Sequence, residues 1–432
     1  MELPRTPTFR TFTTPGGLEV FLAPIPDSPV VSSWMWYRVG SRNEHPGITG
    51  AAHWLEHMLF KGSAHYATGE IDRAIVGTGG YLNAFTDSDF TAYLSIVPRE
   101  RAELPIAIEA DRMTGATIPS GELDSERSVV LSEREMNENN PGFRVDEELH
   151  ALSFHVHPYR WNTLGYAQDI RSMDRDKLVG FYERYYGPAN ASLVVAGGFD
   201  PATMRSFIER KFRKVERTVH PPDVRAHEPP QRSRREATLH GPGSTPIVKV
   251  GWHAPEVGSD LAPAAMLLEM HLGGEAPLFT PGHAWERSRE HPSSALYRSL
   301  VDTRLAVSAG CEWGTTIQPG LFSVYARAAP GVSAARLEAA LEEQVRRVTK
   351  ELLSAAELRE LRQRLLINAS MLWSGTSMIA FRLGYLRSLG GLALERRLLS
   401  RALALRPADL RKAAQQLFDG GSTVVRYLPE GS

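Results

Sequence analysis

Two pairs of adjacent prolines, Pro221-Pro222 and Pro229-Pro230, lie near the middle of this 432-residue chain, and the basic run Arg232-Ser233-Arg234-Arg235 follows them. Adjacent prolines cannot sit inside a helix or a central strand, and they stiffen an extended connection. A chain of this length also exceeds what one ordinary core supports. The expectation is two domains, 1–218 and 238–432, joined by a linker at 219–237.

The pattern on each side of that linker has the same flavour. In the first half, Leu18–Ala23 and Val30–Val39 read as strands, and Gly47–Phe60 as a helix. A second helix stops at Gly79-Gly80, and strands Tyr81–Thr86 and Phe90–Val97 flank the turn Asp87-Ser88-Asp89. Helices over Arg99–Thr114, Glu122–Asn139 and Asp174–Tyr186 follow, with a closing strand at Ala191–Ala196. In the second half, Ile247–Trp252, Leu321–Arg327 and Thr423–Tyr427 read as strands, with helices from Ser333 to about Leu353 and from Ala355 to about Leu372. Strands come in adjacent pairs and helices in groups. That predicts an α+β class with two homologous domains, each an antiparallel sheet covered by helices, and argues against βαβ winding.

Chemistry concentrates at His53-Trp54-Leu55-Glu56-His57. On a helix, positions 53, 56 and 57 share one face, so two imidazoles one turn apart can converge on one metal ion with a carboxylate beside them. Ala51, Ala52, Leu55, Met58 and Phe60 supply apolar faces that pack the same helix against a core. Glu126 and Glu133 lie seven residues apart on one face of the Glu122–Asn139 helix, and a catalytic metal site wants a third protein ligand. The single cysteine, Cys311, excludes a Cys-based zinc site, which leaves His and carboxylate ligands.

The H-x-x-E-H order is that of the inverzincins, and the text around it resembles the pitrilysin-type zinc metallopeptidases, which include the mitochondrial processing peptidase. The resemblance runs through Val39-Gly40-Ser41-Arg42-Asn43-Glu44, Glu56-His57-Met58-Leu59-Phe60-Lys61-Gly62 and Gly79-Gly80-Tyr81-Leu82-Asn83-Ala84-Phe85-Thr86. It continues in Glu126-Arg127, Glu133, Asn140-Pro141, His157-Pro158-Tyr159, Leu164-Gly165, Tyr185-Tyr186 and Pro188-Ala189-Asn190, and so covers essentially the whole first half. In the second half it is one of pattern more than motif.

What the resemblance implies is a zinc metalloendopeptidase with a mitochondrial-processing-peptidase-like fold, acting on unfolded or short peptides. It implies one Zn2+ per chain held by His53, His57 and Glu133, a zinc-activated water with Glu56 as general base, and Glu126 as a supporting carboxylate of the catalytic group. Leu82, Asn83, Ala84, Phe85 and Thr86 resemble the family's substrate-binding edge strand, onto which an extended peptide adds by main-chain hydrogen bonds.

One stretch departs from the pattern. Complete family sites carry an Arg and a Tyr in the second half, where this chain has Val301 and Val307, with Arg304 nearby as a partial substitute. The implied arrangement is a zinc-bearing subunit that meets a homologous chain supplying the Arg and Tyr, or a homodimer. The alternative is a non-catalytic structural or peptide-binding subunit of a larger complex, against which retention of Glu56 argues. Gly273–Pro292 reads as an extra loop, and His150, His155 and His157 as structural rather than a second metal site.

Charge and hydropathy narrow the remaining classes. Lys plus Arg total 49 against 50 Asp plus Glu, so no global basic field exists to attract nucleic acid or anionic lipid. The start lacks a signal pattern, and no run of 18 apolar residues could span a bilayer. The expectation is a cytoplasmic protein with no membrane or nucleic-acid partner.

Overall fold

The computed structural model describes residues 3–4, 6–213, 215, 221–274 and 291–430. Two mixed sheets organise it. The first has six strands: β1 (Arg10–Thr13), β2 (Glu19–Pro24), β3 (Val30–Tyr37), β4 (Tyr81–Thr86), β5 (Thr91–Pro98) and β6 (Ala191–Gly197), in the order β1-β2-β6-β3-β5-β4. The second has five: β7 (Arg235–Gly241), β8 (Ile247–Ala254), β9 (Ala306–Trp313), β10 (Gly320–Ala328) and β11 (Thr423–Pro429), in the order β7-β11-β8-β10-β9. The α+β class is as expected. One pairing in each sheet, β2 with β6 and β7 with β11, is parallel, so neither sheet is wholly antiparallel. Both pairings join strands separated by most of a domain, and a connection that long leaves strand direction free.

Among the described residues, eight α-helices belong to the first half of the chain: α1 (Ala51–Met58), α2 (Glu70–Val76), α3 (Glu103–Gly115), α4 (Ser120–Glu138), α5 (Pro141–Ser153), α6 (Ala167–Ser172), α7 (Arg175–Tyr185) and α8 (Pro201–Phe212). Six belong to the second half: α9 (Ala262–Leu272), α10 (Ala334–Lys350), α11 (Ala355–Met371), α12 (Thr376–Leu389), α13 (Ala393–Ala404) and α14 (Pro407–Phe418). Pro141 ends α4, as expected, and also starts α5: it occupies the first turn, and Asn140 caps the helix by accepting from the Gly142 N–H at 2.8 Å. A first-turn proline costs no hydrogen bond, because that N–H has no intrahelical partner. The Gly390-Gly391 pair falls at the end of α12. The loop expected at 273–292 lies mostly outside the described residues.

The two halves cover one another. Helix α12 of the second half packs on β3 and β6 of the first sheet, while α5 of the first half packs on β8, β11 and β7 of the second. Under α12, Trp36 meets Phe381 at 5.6 Å and Phe90 at 5.2 Å between ring centroids. Gly384 makes that approach possible, since a Cβ there would stand 2.0 Å from Trp36 Nε1. Under α5, Val145 and Leu149 join Ile247, Leu321, Val425 and Tyr427 in one buried cluster. A turn-to-hairpin contact adds to these: Asp89, between β4 and β5, accepts from Tyr159 Oη at 2.7 Å and from the Ile317 N–H at 2.9 Å, and pairs with Arg42 at 3.1 Å.

Candidate metal centre

Helix α1 starts at Gly50, whose φ of +88° favours glycine. A Cβ there would also stand 2.6 Å from the Leu164 carbonyl oxygen. Two of the orphan N–H groups at this helix start, those of Gly50 and Ala52, donate to the two oxygens of the buried Glu44, each at 2.8 Å. Ala51, Ala52, Trp54, Leu55 and Met58 anchor α1 in the first-half core. That packing orients the remaining face, with His53, Glu56 and His57, toward α4.

Helix α4 brings Glu133 opposite. Its Oε2 lies 3.6 Å from His53 Nε2 and 3.7 Å from His57 Nε2, and one ligand atom of each residue lies within 4.8 Å of the others. Ligands at zinc bond lengths of about 2.0–2.1 Å in tetrahedral array stand roughly 3.4 Å apart. The group therefore fits a zinc ion after small side-chain adjustments, and two imidazoles with one carboxylate is a donor set of hydrolytic zinc sites. Among the described residues this is the one His/Cys/Asp/Glu group with that geometry.

Glu126 accepts from His57 Nδ1 at 2.8 Å. A carboxylate only accepts, so Nδ1 carries the proton and Nε2 presents its lone pair toward Glu133. Burial raises the Glu126 carboxyl, but hydrogen bonds from Lys61 and His57 outweigh that and hold it below the usual glutamate range. Glu56 is 8% exposed, and its Oε2 accepts from Thr86 Oγ1 at 2.6 Å. Burial pushes Glu56 up to about 7, with the Thr86 hydrogen bond and His57 pulling down and Glu133 pushing up. A bound dication would add a further lowering influence.

The five residues singled out as a substrate edge strand form β4, one margin of the first sheet, paired on one side by β5. Leu82, Ala84 and Phe85 are half-buried and Asn83 is exposed. Thr86 is buried, and its side chain meets Glu56 instead of facing outward. A cavity of ≈ 420 Å³ opens beside Glu133 and runs between the halves, past Met136, Phe143, Lys249 and Tyr385. Arg304 is exposed with φ of +60°, and Val307 stands 51% exposed on β9, the margin of the second sheet. His150 and His157 are engaged with Tyr159 O at 2.8 Å and Gln318 Oε1 at 2.9 Å. Lys61 and Glu44 stood in the sequence only within the stretches that carry the family resemblance, with no role given to either, and both meet their partners only in the folded structure.

A family profile described as "Insulinase (Peptidase family M16)" matches residues 19–165, and one described as "Peptidase M16 inactive domain" matches residues 172–365. An uncharacterized zinc protease of Mycobacterium leprae is 31% identical over 326 residues, which is 74% of this chain and 69% of that protein. An uncharacterized zinc protease of Streptomyces coelicolor is 32% identical over 207 residues, 48% of this chain, and the match spans less than half, 45%, of that relative. In fold, the crystal structure of a protease from Helicobacter pylori superposes with a TM-score of 0.90 over 98% of this chain and 100% of that one, at 24% identity.

Proposed function

The chain belongs to peptidase family M16, and from that premise we propose that it is a zinc metalloendopeptidase acting on unfolded or short peptides. The observation that carries this reading is the convergence of His53, His57 and Glu133 beside the buried Glu56. His53 Nε2, His57 Nε2 and Glu133 Oε2 would hold the ion. When bound, zinc supplies Lewis acidity, which makes water nucleophilic near neutral pH and polarises a peptide carbonyl.

The remaining steps belong to the chain's own side chains. Glu56, aligned by Thr86, takes a proton from the attacking water and delivers it to the leaving amine. Glu126 keeps His57 in the tautomer that ligates through Nε2. The open edge of β4 accepts an extended peptide by main-chain hydrogen bonds and lays its carbonyl near Glu56. Such binding reads backbone more than side chain, which favours unfolded substrates.

In this reading the chain is the zinc-bearing member of a dimer, whose second chain, homologous or identical, supplies the Arg and Tyr that Val301 and Val307 do not. The test is hydrolysis of a mixed set of unstructured peptides by the zinc-loaded chain and by Glu56→Gln. Cleavage by the wild type alone supports a self-sufficient peptidase. Cleavage that appears only on adding a second M16 chain supports the dimer. Equal cleavage by Glu56→Gln refutes the role of Glu56.

A further inference from the structure

We propose that Lys61 is a positioning residue for the metal-binding imidazole of His57, acting through Glu126. The inference rests on the reading of His53, His57 and Glu133 as zinc ligands. Lys61 follows the end of α1, where its N–H donates to the Met58 carbonyl at 3.0 Å. Its ammonium reaches Glu126 Oε2 at 2.7 Å, while the other oxygen of the same carboxylate meets His57 Nδ1 at 2.8 Å. The Glu126 side chain is 6% exposed and that of Lys61 28%.

Both oxygens of Glu126 are therefore engaged, one by the imidazole and one by a cation. The terminal torsion of a glutamate is broad, so a carboxylate gripped at one oxygen can swing about that contact. A second charge-assisted bond at the other oxygen fixes the plane of the group. That plane sets the direction of the His57 ring and hence where Nε2 points, at present toward Glu133 Oε2 at 3.7 Å.

Charge leads to the same conclusion. A dication with the carboxylates of Glu56, Glu126 and Glu133 would leave one net negative charge in a mostly buried site. Lys61 brings the group to neutrality without ligating the metal, since an ammonium has no acceptor. A lysine serving only as an exposed ion pair would contribute little to anything, because such pairs are worth about 0–1 kcal/mol in stability.

The test uses full-length Lys61→Met, Lys61→Arg and Glu126→Gln proteins and the double variant Lys61→Met/Glu126→Gln. Zinc affinity is measured by competition with a calibrated chelator at one neutral pH, alongside the melting temperature of each metal-free protein. Outer partners of metal ligands typically carry 10- to 100-fold in affinity, so Lys61→Met should weaken zinc binding about tenfold. Its metal-free melting temperature should stay near that of the wild type, and Lys61→Arg should recover most of the affinity. In the Glu126→Gln background, Lys61→Met should cost nothing further. An unchanged zinc affinity in Lys61→Met, or a loss that simply adds to that of Glu126→Gln, overturns the proposal. If the wild type itself fails to hold zinc, the metal-site reading falls and the role of Lys61 with it; wild-type binding with an indifferent Lys61→Met sinks only the latter.

Discussion

Glu56 is governed by burial and by Thr86, which act in opposite directions. Burial lifts its carboxyl toward neutrality, and the Thr86 hydroxyl at 2.6 Å stabilises the charged form and fixes which oxygen faces the site. A general base works best with a pKa near the operating pH and in hydrogen-bond reach of its proton. Glu56→Gln is therefore expected to retain zinc and lose about 10²- to 10⁴-fold in kcat, as read by steady-state hydrolysis beside metal analysis. Thr86→Val keeps the shape and removes the donor. A hydrogen bond to a charged group is worth about 1.5–3 kcal/mol, so kcat should fall roughly 10- to 100-fold, with Thr86→Ser near wild type. An unchanged kcat in Thr86→Val would show that Glu56 needs no alignment from β4. The pairing of Thr86 with Glu56 spans 30 positions; sequence placed both residues at the site but gave Thr86 a role toward substrate, because alternation along a strand says which face a side chain takes and not what waits there.

At the scale of elements, helix α1 depends on how it begins. Gly50 sits at φ +88° with the Leu164 carbonyl where a Cβ would stand, 2.6 Å away. Gly50→Ala is expected to lower stability by about 1–3 kcal/mol through backbone strain, with the clash adding to it, and to loosen His53 through the shifted helix start. Thermal melting and zinc titration together check this. The linker offers a pH-dependent counterpart. Burial raises the Glu228 carboxyl, but N–H donors from His155, Val156 and His157 at 2.8–2.9 Å outweigh it and hold the group low. A carboxylate depressed in the folded state stabilises above its unfolded pKa and loses that contribution as pH falls through the native value. The melting-temperature gap between wild type and Glu228→Gln should thus be full above about pH 4.3, the ordinary glutamate value, and close below it. A gap that persists in acid would mean that the N–H donors do not select the charged form. Helices α1, α4, α10 and α11 were legible from periodicity and end signals, with boundaries shifted by up to about four residues. Helix α5 was not, since proline both stops one helix and opens the next.

Over the whole molecule, each sheet is completed by a helix from the other half. Removal of the second half would strip α12 from Trp34, Trp36 and Phe90, and would leave the apolar face of α5 without its sheet. A fragment of residues 1–218 is expected to aggregate or to bind hydrophobic dye strongly; a monomeric, cooperatively melting fragment would contradict the mutual covering. Within the intact chain, Leu149→Ala should cost about 2–5 kcal/mol and lower a single shared melting transition. The His53, Glu56, His57 and Glu133 group inherits this arrangement: Asp89 ties the β4–β5 turn, three residues from Thr86, to the Ile317 N–H of the second half. The half matched to a profile described as inactive therefore supports the strand that aligns Glu56.

Sequence alone determined the α+β class, the two-half plan and the shared face of His53, Glu56 and His57, because those rest on local signals: paired prolines, periods of two and 3.6, and an H-x-x-E-H spacing that one helix turn converts into a face. Glu133 was assigned as the third ligand only through the family resemblance. The meeting of α1 with α4, the grip of Lys61 and His57 on Glu126, the turn of Thr86 onto Glu56 and the exchange of α5 and α12 were decided only in tertiary structure. Each joins residues tens to hundreds of positions apart, and such pairings are selected by packing and charge in three dimensions, which one-dimensional periodicity does not encode.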